Sequence, residues 1–491
     1  MFQDDTIAAI STAPGVGAIA IVRLSGPDSF KIAEKLFWPR KNRQSDHEKF
    51  DRGQDKSATN DSKASGNNDF WQPVSHHASI GYIKDPSRDN KLVDEVVLIA
   101  YQAPHTYTGE DLVEINCHGS PIVTREILSL ILAQGARLAE KGEFTKRSFL
   151  AGRLDLTQAE AVLDIIHSKT ERQSELALSV LQGHLGEEIK AIRKRLIELL
   201  TRIVAGIDFP EEVGELDVSD INAVTEECLT KLNQLARTAR SGRFLREGLK
   251  LAIVGRPNAG KSSLLNRLLN FERAIVTDIP GTTRDSIEEP VDVNGIPVIL
   301  VDTAGVRHTE DRVEQIGIER TTRAIEEADL TCVLLDGTTA SGQEEQVLLS
   351  KLKELARPYF VAINKIDLCG SGPMNNGNLP DLINFSIGKP LAISAKMGQG
   401  IEDLKGMIEH FALTDNSVKE LGGSLNERQG ALCIKAVEAL ERLLAASLSG
   451  LPQDCLASDL KLAVDALDAI SGQVVTEEVI TEVFANFCIG K

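Results

Sequence analysis

The chain has no CxxC pair, no apolar run long enough to span a membrane and no excess of positive charge. Its seven cysteines, at 117, 228, 332, 369, 433, 455 and 488, are odd in number and unpaired in spacing, which favours free thiols in a reducing compartment over a disulfide framework. The first residues, MFQDDTIAAIS, are acidic and lack both the basic start of a secretory signal and the Arg-rich look of an organelle transit sequence. Without a membrane-length apolar stretch, the expectation is a soluble, cytoplasmic protein with no membrane partner. Charged residues sum to 54 basic and 72 acidic, a formal charge of −18. That balance excludes a general nucleic-acid binder, so any RNA contact must use a local basic patch or a partner protein.

What is present is enough for several domains. A length of 491 residues with 42% apolar content suggests about three, each with its own core. Residues 1–151 read as a mixed α/β domain, with strands at 18–22 and 93–100 and a helix at 121–133 that starts on Pro121. Within it, residues 40–69 hold mixed charge, Asn, Ser and Gly, and too little apolar surface to offset ordering entropy, so they read as a disordered surface insertion. Helical periodicity runs through 152–247 and returns over 412–491, with Thr476 a candidate N-cap for the last helix. Residues 248–411 between them read differently: a short apolar strand ending at Val254 runs into GRPNAGKS and a helical run, the pattern of a P-loop domain with a mainly parallel sheet. The fold class is therefore multidomain α/β plus α, with a helical domain in two segments and this P-loop domain inserted between them.

The inserted domain carries its chemistry in order. Gly255-Arg256-Pro257-Asn258-Ala259-Gly260-Lys261-Ser262 fits GxxxxGK(S/T) between an apolar strand and the helical run SSLLNRLL. Glycines let backbone N–H groups approach phosphate, Lys261 supplies a point charge and Ser262 ligates Mg²⁺. Ala259 and Ser263 complete the loop that wraps the nucleotide. Asp302-Thr303-Ala304-Gly305 ends the strand VILVD; there Asp302 is placed to hold Mg²⁺ through water and the Gly305 N–H to meet the γ-phosphate. Asn364-Lys365-Ile366-Asp367 follows the strand YFVAIN. A carboxylate at Asp367 can accept from N1–H and the 2-amino group of guanine, which adenine does not offer. Ser394-Ala395-Lys396 falls where a loop backing the base belongs. Val306 stands where a water-orienting Gln would be expected. That leaves Glu314 as a candidate, or as an ordinary helix-face glutamate. Thr283 is a candidate second Mg²⁺ ligand. No arginine finger is evident, and a monovalent cation beside Asn258 is one way to supply the missing charge.

Outside this domain the residues are less explicit. Polar and glycine-rich runs around Tyr107–Asp111, Glu114, His118, Gly142–Arg147 and Gly152–Asp155 suggest a ligand pocket in the N-terminal domain. Arg23, Glu114 and Arg153, taken singly, read equally as surface ion-pair members. Cys488 lies past the last helix, on a tail expected to be free and polar. Chemistry alone leaves it either a small apolar residue or a reactive thiol.

Taken together, these segments resemble the MnmE (TrmE) family, GTPases of tRNA wobble-uridine modification. The resemblance spans nearly the whole chain and rests on DTIAAISTAPGVGAIAIVRLSGPDS, YTGEDLVEINCHG, GEFTKRSFLAGRLDLTQAEAV, IDFPEE, GRPNAGKSSLLN, DIPGTTRD, DTAGVR and FCIGK. It implies an N-terminal domain that dimerises and binds a tetrahydrofolate derivative, 5-formyl- or 5,10-methylene-tetrahydrofolate, with Arg23, Glu114, Arg153 and Lys491 at contacting positions. It implies a catalytic role for Cys488 and a water-orienting role for Glu314. Asn258, Thr277, Ile279 and Thr282 match a potassium site, Ser262 and Thr283 the Mg²⁺ ligands. The implied assembly is a homodimer that joins the FAD-carrying flavoprotein MnmG (GidA) as a heterotetramer and acts on uridine 34 of tRNA. The rivals, a regulatory GTPase of the Era type or a stand-alone one-carbon transferase, would lack the folate-like domain and tail, or the intact Lys261, Thr283 and Asp367.

Overall fold

The computed structural model describes residues 5–40, 71–212, 214, 216–271, 290–301, 314–339, 343–369, 386–413 and 423–491. Two compact units result: Met1–Ala159 with Val475–Lys491, and Glu160–Val474. All but the first residue of the 40–69 insertion lies outside the described residues.

The first unit is built on a seven-stranded sheet in the order β3-β4-β5-β6-β2-β1-β7. Its strands are β1 (Ile7–Ile10), β2 (Ile19–Ser25), β3 (Phe37–Pro39), β4 (His77–Asp85), β5 (Lys91–Tyr101), β6 (Leu112–His118) and β7 (Arg137–Leu138). Every pairing is antiparallel except β1 with β7. Helices α1 (Ser29–Leu36) and α2 (Pro121–Ala133) pack on it; α3 (Glu143–Leu150) follows. Both anticipated strands and the helix at 121–133 form. Period-2 alternation sets which side chains do what. Ala20, Val22 and Leu24 of β2 and Val113, Ile115 and Cys117 of β6 enter the core. Arg23 and Glu114, paired across the two strands, therefore share the other face.

The second unit holds a helical bundle and the P-loop fold. Helices α4 (Leu156–His167), α5 (Glu171–Leu181), α6 (His184–Asp208) and α7 (Val218–Glu247) precede the G domain. That domain contributes β8 (Leu249–Val254), α8 (Lys261–Phe271), β9 (Val291–Val293), β10 (Ile296–Val301), α9 (Glu314–Glu327), β11 (Leu330–Asp336), α10 (Gln343–Glu354), β12 (Tyr359–Asn364), β13 (Leu391–Ala392) and α11 (Ile401–Ala412). The bundle then resumes with α12 (Glu427–Leu448) and α13 (Gln453–Ser471). A single apolar core, including Leu196, Leu232, Leu440 and Leu467, joins the two segments of the bundle. Each such fully buried leucine contributes roughly 1.5–3 kcal/mol. Capping boxes at Thr170/Gln173 and Asn426/Gln429 start α5 and α12. The G-domain sheet runs β13-β12-β11-β8-β10-β9, parallel except for the β9–β10 hairpin, as the sequence led one to expect.

The chain's last helix, α14 (Glu477–Ala485), and the tail after it belong with the first unit, not with the bundle. Thr476 is its N-cap residue in extended conformation, without a side-chain capping bond. None of the described helices is long and apolar enough to cross a membrane.

Candidate functional site

In an open parallel sheet the loops at the carboxyl ends of the strands form the binding crevice. Here β8, β11 and β12 deliver the P-loop, Asp336 and Asn364 to that edge. The P-loop turn needs unusual backbone: Asn258 has φ +62 and Gly260 φ +98. A Cβ at Gly260 would lie 2.1 Å from Asn364 Nδ2, so the glycine admits that side chain. Asn364 is buried and joins two loops. Its Nδ2 donates to Ala259 O at 2.8 Å, and its Oδ1 accepts from Ala395 N at 2.9 Å. Ser394 Oγ donates to Asp367 Oδ1 at 2.6 Å and accepts from Met397 N at 3.1 Å. The structure thus brings Ala259, Gly260, Asn364, Asp367, Ser394 and Ala395 together. Lys396 is exposed next to them, and its carbonyl accepts from Arg267.

The phosphate end is arranged differently. Lys261 Nζ donates to Gly255 O at 2.8 Å and Arg256 O at 2.7 Å, and burial lowers its pKa. Phosphate oxygens would replace those carbonyls and restore a favourable charge environment. Ser262 and Ser263 are exposed on the first turn of α8, and Asn258 is exposed in the turn. Lys365, with φ +65, pairs with Asp336 at 2.6 Å. Asp336 went unrecognised in the sequence, although it ends a strand directly opposite Asn364 on the neighbouring one. Thr277, Ile279, Thr282, Thr283, Asp302, Thr303, Ala304 and Gly305 lie outside the described residues. Glu314 opens α9.

A second site lies in the first unit. Arg23 donates to Glu114 Oε1 through Nε (3.0 Å) and Nη2 (2.7 Å), and its guanidinium sits 5.6 Å from the ring centroids of both Tyr107 and Phe144. Arg153 donates to Tyr107 O at 2.9 Å and lies 5.1 Å from the same ring. A cavity of about 390 Å³ opens beside them, lined by His76, Tyr101, Pro104, His105, Thr106, Tyr107 and Arg153. Tyr107 thus links Arg23 with Arg153, and Phe144 packs against Arg23. Each sits inside a quoted motif, YTGED or GEFTKR, but aromatic packing under a guanidinium leaves no spacing signal.

The tail is not free. Phe487 is 2% exposed, and its ring centroid lies 5.3 Å from that of Phe484. Phe144 N donates to Lys491 O at 3.2 Å, and Gly142 N to Cys488 O at 3.3 Å. The expected loose polar end is instead seated on the first unit because Phe484 and Phe487 supply an apolar anchor that its last residues conceal. Cys488 stays exposed. All seven cysteines are free. Burial pushes the thiols of Cys117 and Cys228 up to about 11 and those of Cys332 and Cys433 to about 12, which leaves them inert as nucleophiles. Among the described residues no group of three or more His, Cys, Asp or Glu side chains is arranged to hold a metal ion.

Comparison with known proteins covers the whole chain. Residues 156–488 match the family described as MnmE helical domain, and residues 6–153 the one described as GTP-binding protein TrmE N-terminus. The tRNA modification GTPase MnmE of Acetivibrio thermocellus is 41% identical over 497 residues, covering 100% of both chains. The same protein of Thermoanaerobacter sp. (strain X514) is 42% identical over 489 residues, and that of Streptococcus pneumoniae 43% over 490, each covering 99% of both chains. Among solved structures, the G domain of the T. maritima FeoB iron transporter is 24% identical, covers 33% of this chain and 98% of that one, and gives a TM-score of 0.24. Matches of this extent and identity leave one assignment: the chain belongs to the MnmE family of tRNA modification GTPases.

Proposed function

We propose that this GTPase works as a cytoplasmic homodimer with an FAD-carrying MnmG (GidA) partner, in a heterotetramer that modifies C5 of uridine 34 in tRNA. The carbon comes from 5-formyl- or 5,10-methylene-tetrahydrofolate, held in the first unit by Arg23, Glu114, Arg153 and Lys491, and the Cys488 thiol takes part in the transfer. GTP hydrolysis uses Mg²⁺ on Ser262 and Thr283. It uses K⁺ at Asn258, Thr277, Ile279 and Thr282, with Glu314 orienting water. Face-to-face pairing of G domains activates it.

The observation that carries this reading is the seating of the Cys488 tail on Phe144, the residue whose ring also underlies Arg23. A cavity of about 390 Å³, a guanidinium–carboxylate pair and an exposed thiol lie in the same compact unit, which supports the reading. The Arg23–Glu114 pair offers a donor and an acceptor side by side, which suits the amide and amino edge of a pterin.

The deciding experiment measures modified wobble uridine in cells whose only copy is wild type, Cys488→Ser or Asp367→Asn. Cys488→Ser is expected to abolish modification and leave GTP turnover near normal. Asp367→Asn is expected to weaken GTP binding by about 2–5 kcal/mol and gain xanthosine triphosphate. Turnover in K⁺ should exceed that in Na⁺, and Glu314→Ala should lower kcat about 10²-fold with nucleotide affinity kept. Full modification by the Ser variant removes Cys488 from the chemistry, and equal rates in both salts remove the potassium site.

A further inference from the structure

The runs GEFTKR and FCIGK are far apart in the chain and meet in the first unit. Each contributes a glycine that no other residue replaces easily. Gly142 has φ +66, and a Cβ there would lie 2.9 Å from both Phe484 O and Phe487 Cβ. Gly490 is buried with φ +96, and a Cβ there would lie 2.3 Å from Ile10 O and 3.0 Å from Ser11 Cα. Those last neighbours are backbone, so they cannot swing aside as a side-chain end would. Left-handed φ adds a steric penalty for any L side chain.

Main-chain hydrogen bonds tie the two runs together. Lys141 and Ile489 form an antiparallel bridge, with Gly142 N donating to Cys488 O and Phe144 N to Lys491 O. Phe487 points inward, while Cys488 and Ile489 remain exposed. Segments past a helix end cost about 1–2 kcal/mol of backbone entropy per residue to order. Backbone docking meets that cost here without engaging the thiol, which stays available in one place.

We propose that Gly490 is a positioning residue: it seats the tail against Ile10–Ser11 and Lys141–Phe144 and thereby fixes where the Cys488 thiol stands. This rests on the reading of Cys488 as the thiol used in tRNA modification. Gly490 itself touches no reacting group; it acts through Cys488.

The test uses the full chain as wild type, Gly490→Ala and Ile489→Ala. Hydrogen exchange at the Gly142 and Phe144 amides reports seating. The maleimide alkylation rate of Cys488, taken as a ratio to the exposed Cys455, reports the thiol's surroundings in a way that a general loss of stability does not. Modified wobble uridine in cells and GTP turnover report function. Gly490→Ala should speed exchange at both amides about 10-fold or more. It should also shift the alkylation ratio and lower modified uridine about 10-fold or more, as an ångström-scale misplacement does, with GTP turnover unchanged. Ile489→Ala, altering only an exposed side chain, should match wild type throughout. Unchanged exchange and an unchanged alkylation ratio in Gly490→Ala overturn the proposal; so does a freed tail with full modification. Should the wild-type chain fail to restore modification in cells lacking it, the functional reading falls, while exchange and alkylation still decide whether Gly490 seats the tail.

Discussion

The two sites are held by different chemistry. In the first unit the scaffold is ionic. Arg147, with a side chain 7% exposed, bonds Asp5 at 2.7 Å, Glu110 at 3.0 Å and Glu143 at 3.0 Å, and Arg137 bonds Asp5 and Glu143 in turn. Ser25, next to Leu24 on the strand of Arg23, donates to Glu110 at 2.7 Å and extends the network toward the pocket. In the G domain the base end is fixed mostly by neutral donors: the Asn364 amide, the Ser394 hydroxyl and backbone N–H groups. Charges in low dielectric fix geometry strongly but punish the loss of a partner; amides lose less and do not titrate. Acid and charge deletion should therefore strike the first unit, and amide deletion the second.

The largest effect is expected from Arg147→Ala. It leaves three carboxylates clustered and partly buried, so the first unit should lose about 3–5 kcal/mol. Both tryptophans, Trp38 and Trp71, lie in that unit, so tryptophan fluorescence in urea reads it alone. A loss under about 1 kcal/mol would mean that the network is solvated like a surface pair.

Acid should act on the same network. Burial raises the pKa values of Asp5 and Glu143, but the flanking arginines, joined at Glu143 by the Glu140 backbone N–H, more than offset it, and both end below their ordinary values of 3.8 and 4.5. A lowered folded pKa means stability that is full above the unfolded value and lost as pH falls through the folded one. The tryptophan transition should thus hold from pH 7 to about 5 and decline below that. A midpoint that stays flat down to about pH 3 would break the contrast between the units.

Asn364→Ala is the matching cut in the G domain. It strands Ala259 O and Ala395 N, at about 1–3 kcal/mol for a buried unsatisfied group, and should weaken GDP and GTP roughly 10- to 100-fold. Tryptophan unfolding should not move. If it does, the two sites are coupled and the contrast is weaker than drawn.

Much of the nucleotide site was legible because its chemistry is local. A P-loop, an NKID run and an SAK run each show in a few consecutive residues between apolar strands. The bundle was legible from periodicity, and β2, β5 and α2 from alternation or a proline start. What stayed hidden depends on contacts between distant segments. Asp336 opposite Lys365, Tyr107 and Phe144 around Arg23, and the Arg147 network leave no spacing pattern. The tail misled because polarity at its very end masked two phenylalanines just before it. The switch residues from Thr277 to Thr283 and from Asp302 to Gly305 lie outside the described structure, so their roles stand on motif alone.

The smallest expected effect is also the sharpest check on the G-domain side. Ser394 Oγ donates to Asp367 Oδ1, and Asp367 is exposed. Removing the hydroxyl leaves a carboxylate that water can still solvate, unlike the carboxylates around Arg147. Met397 N, which also loses its acceptor, belongs to an exposed residue. No unpaired buried charge results, so only orientation is lost. Ser394→Ala should weaken GTP by about 1 kcal/mol, roughly fivefold, with kcat and the preference over xanthosine triphosphate unchanged. Isothermal titration at two salt concentrations provides the measurement. A loss above about 3 kcal/mol, or one that grows as salt is lowered, would show that the base end is held by charge after all.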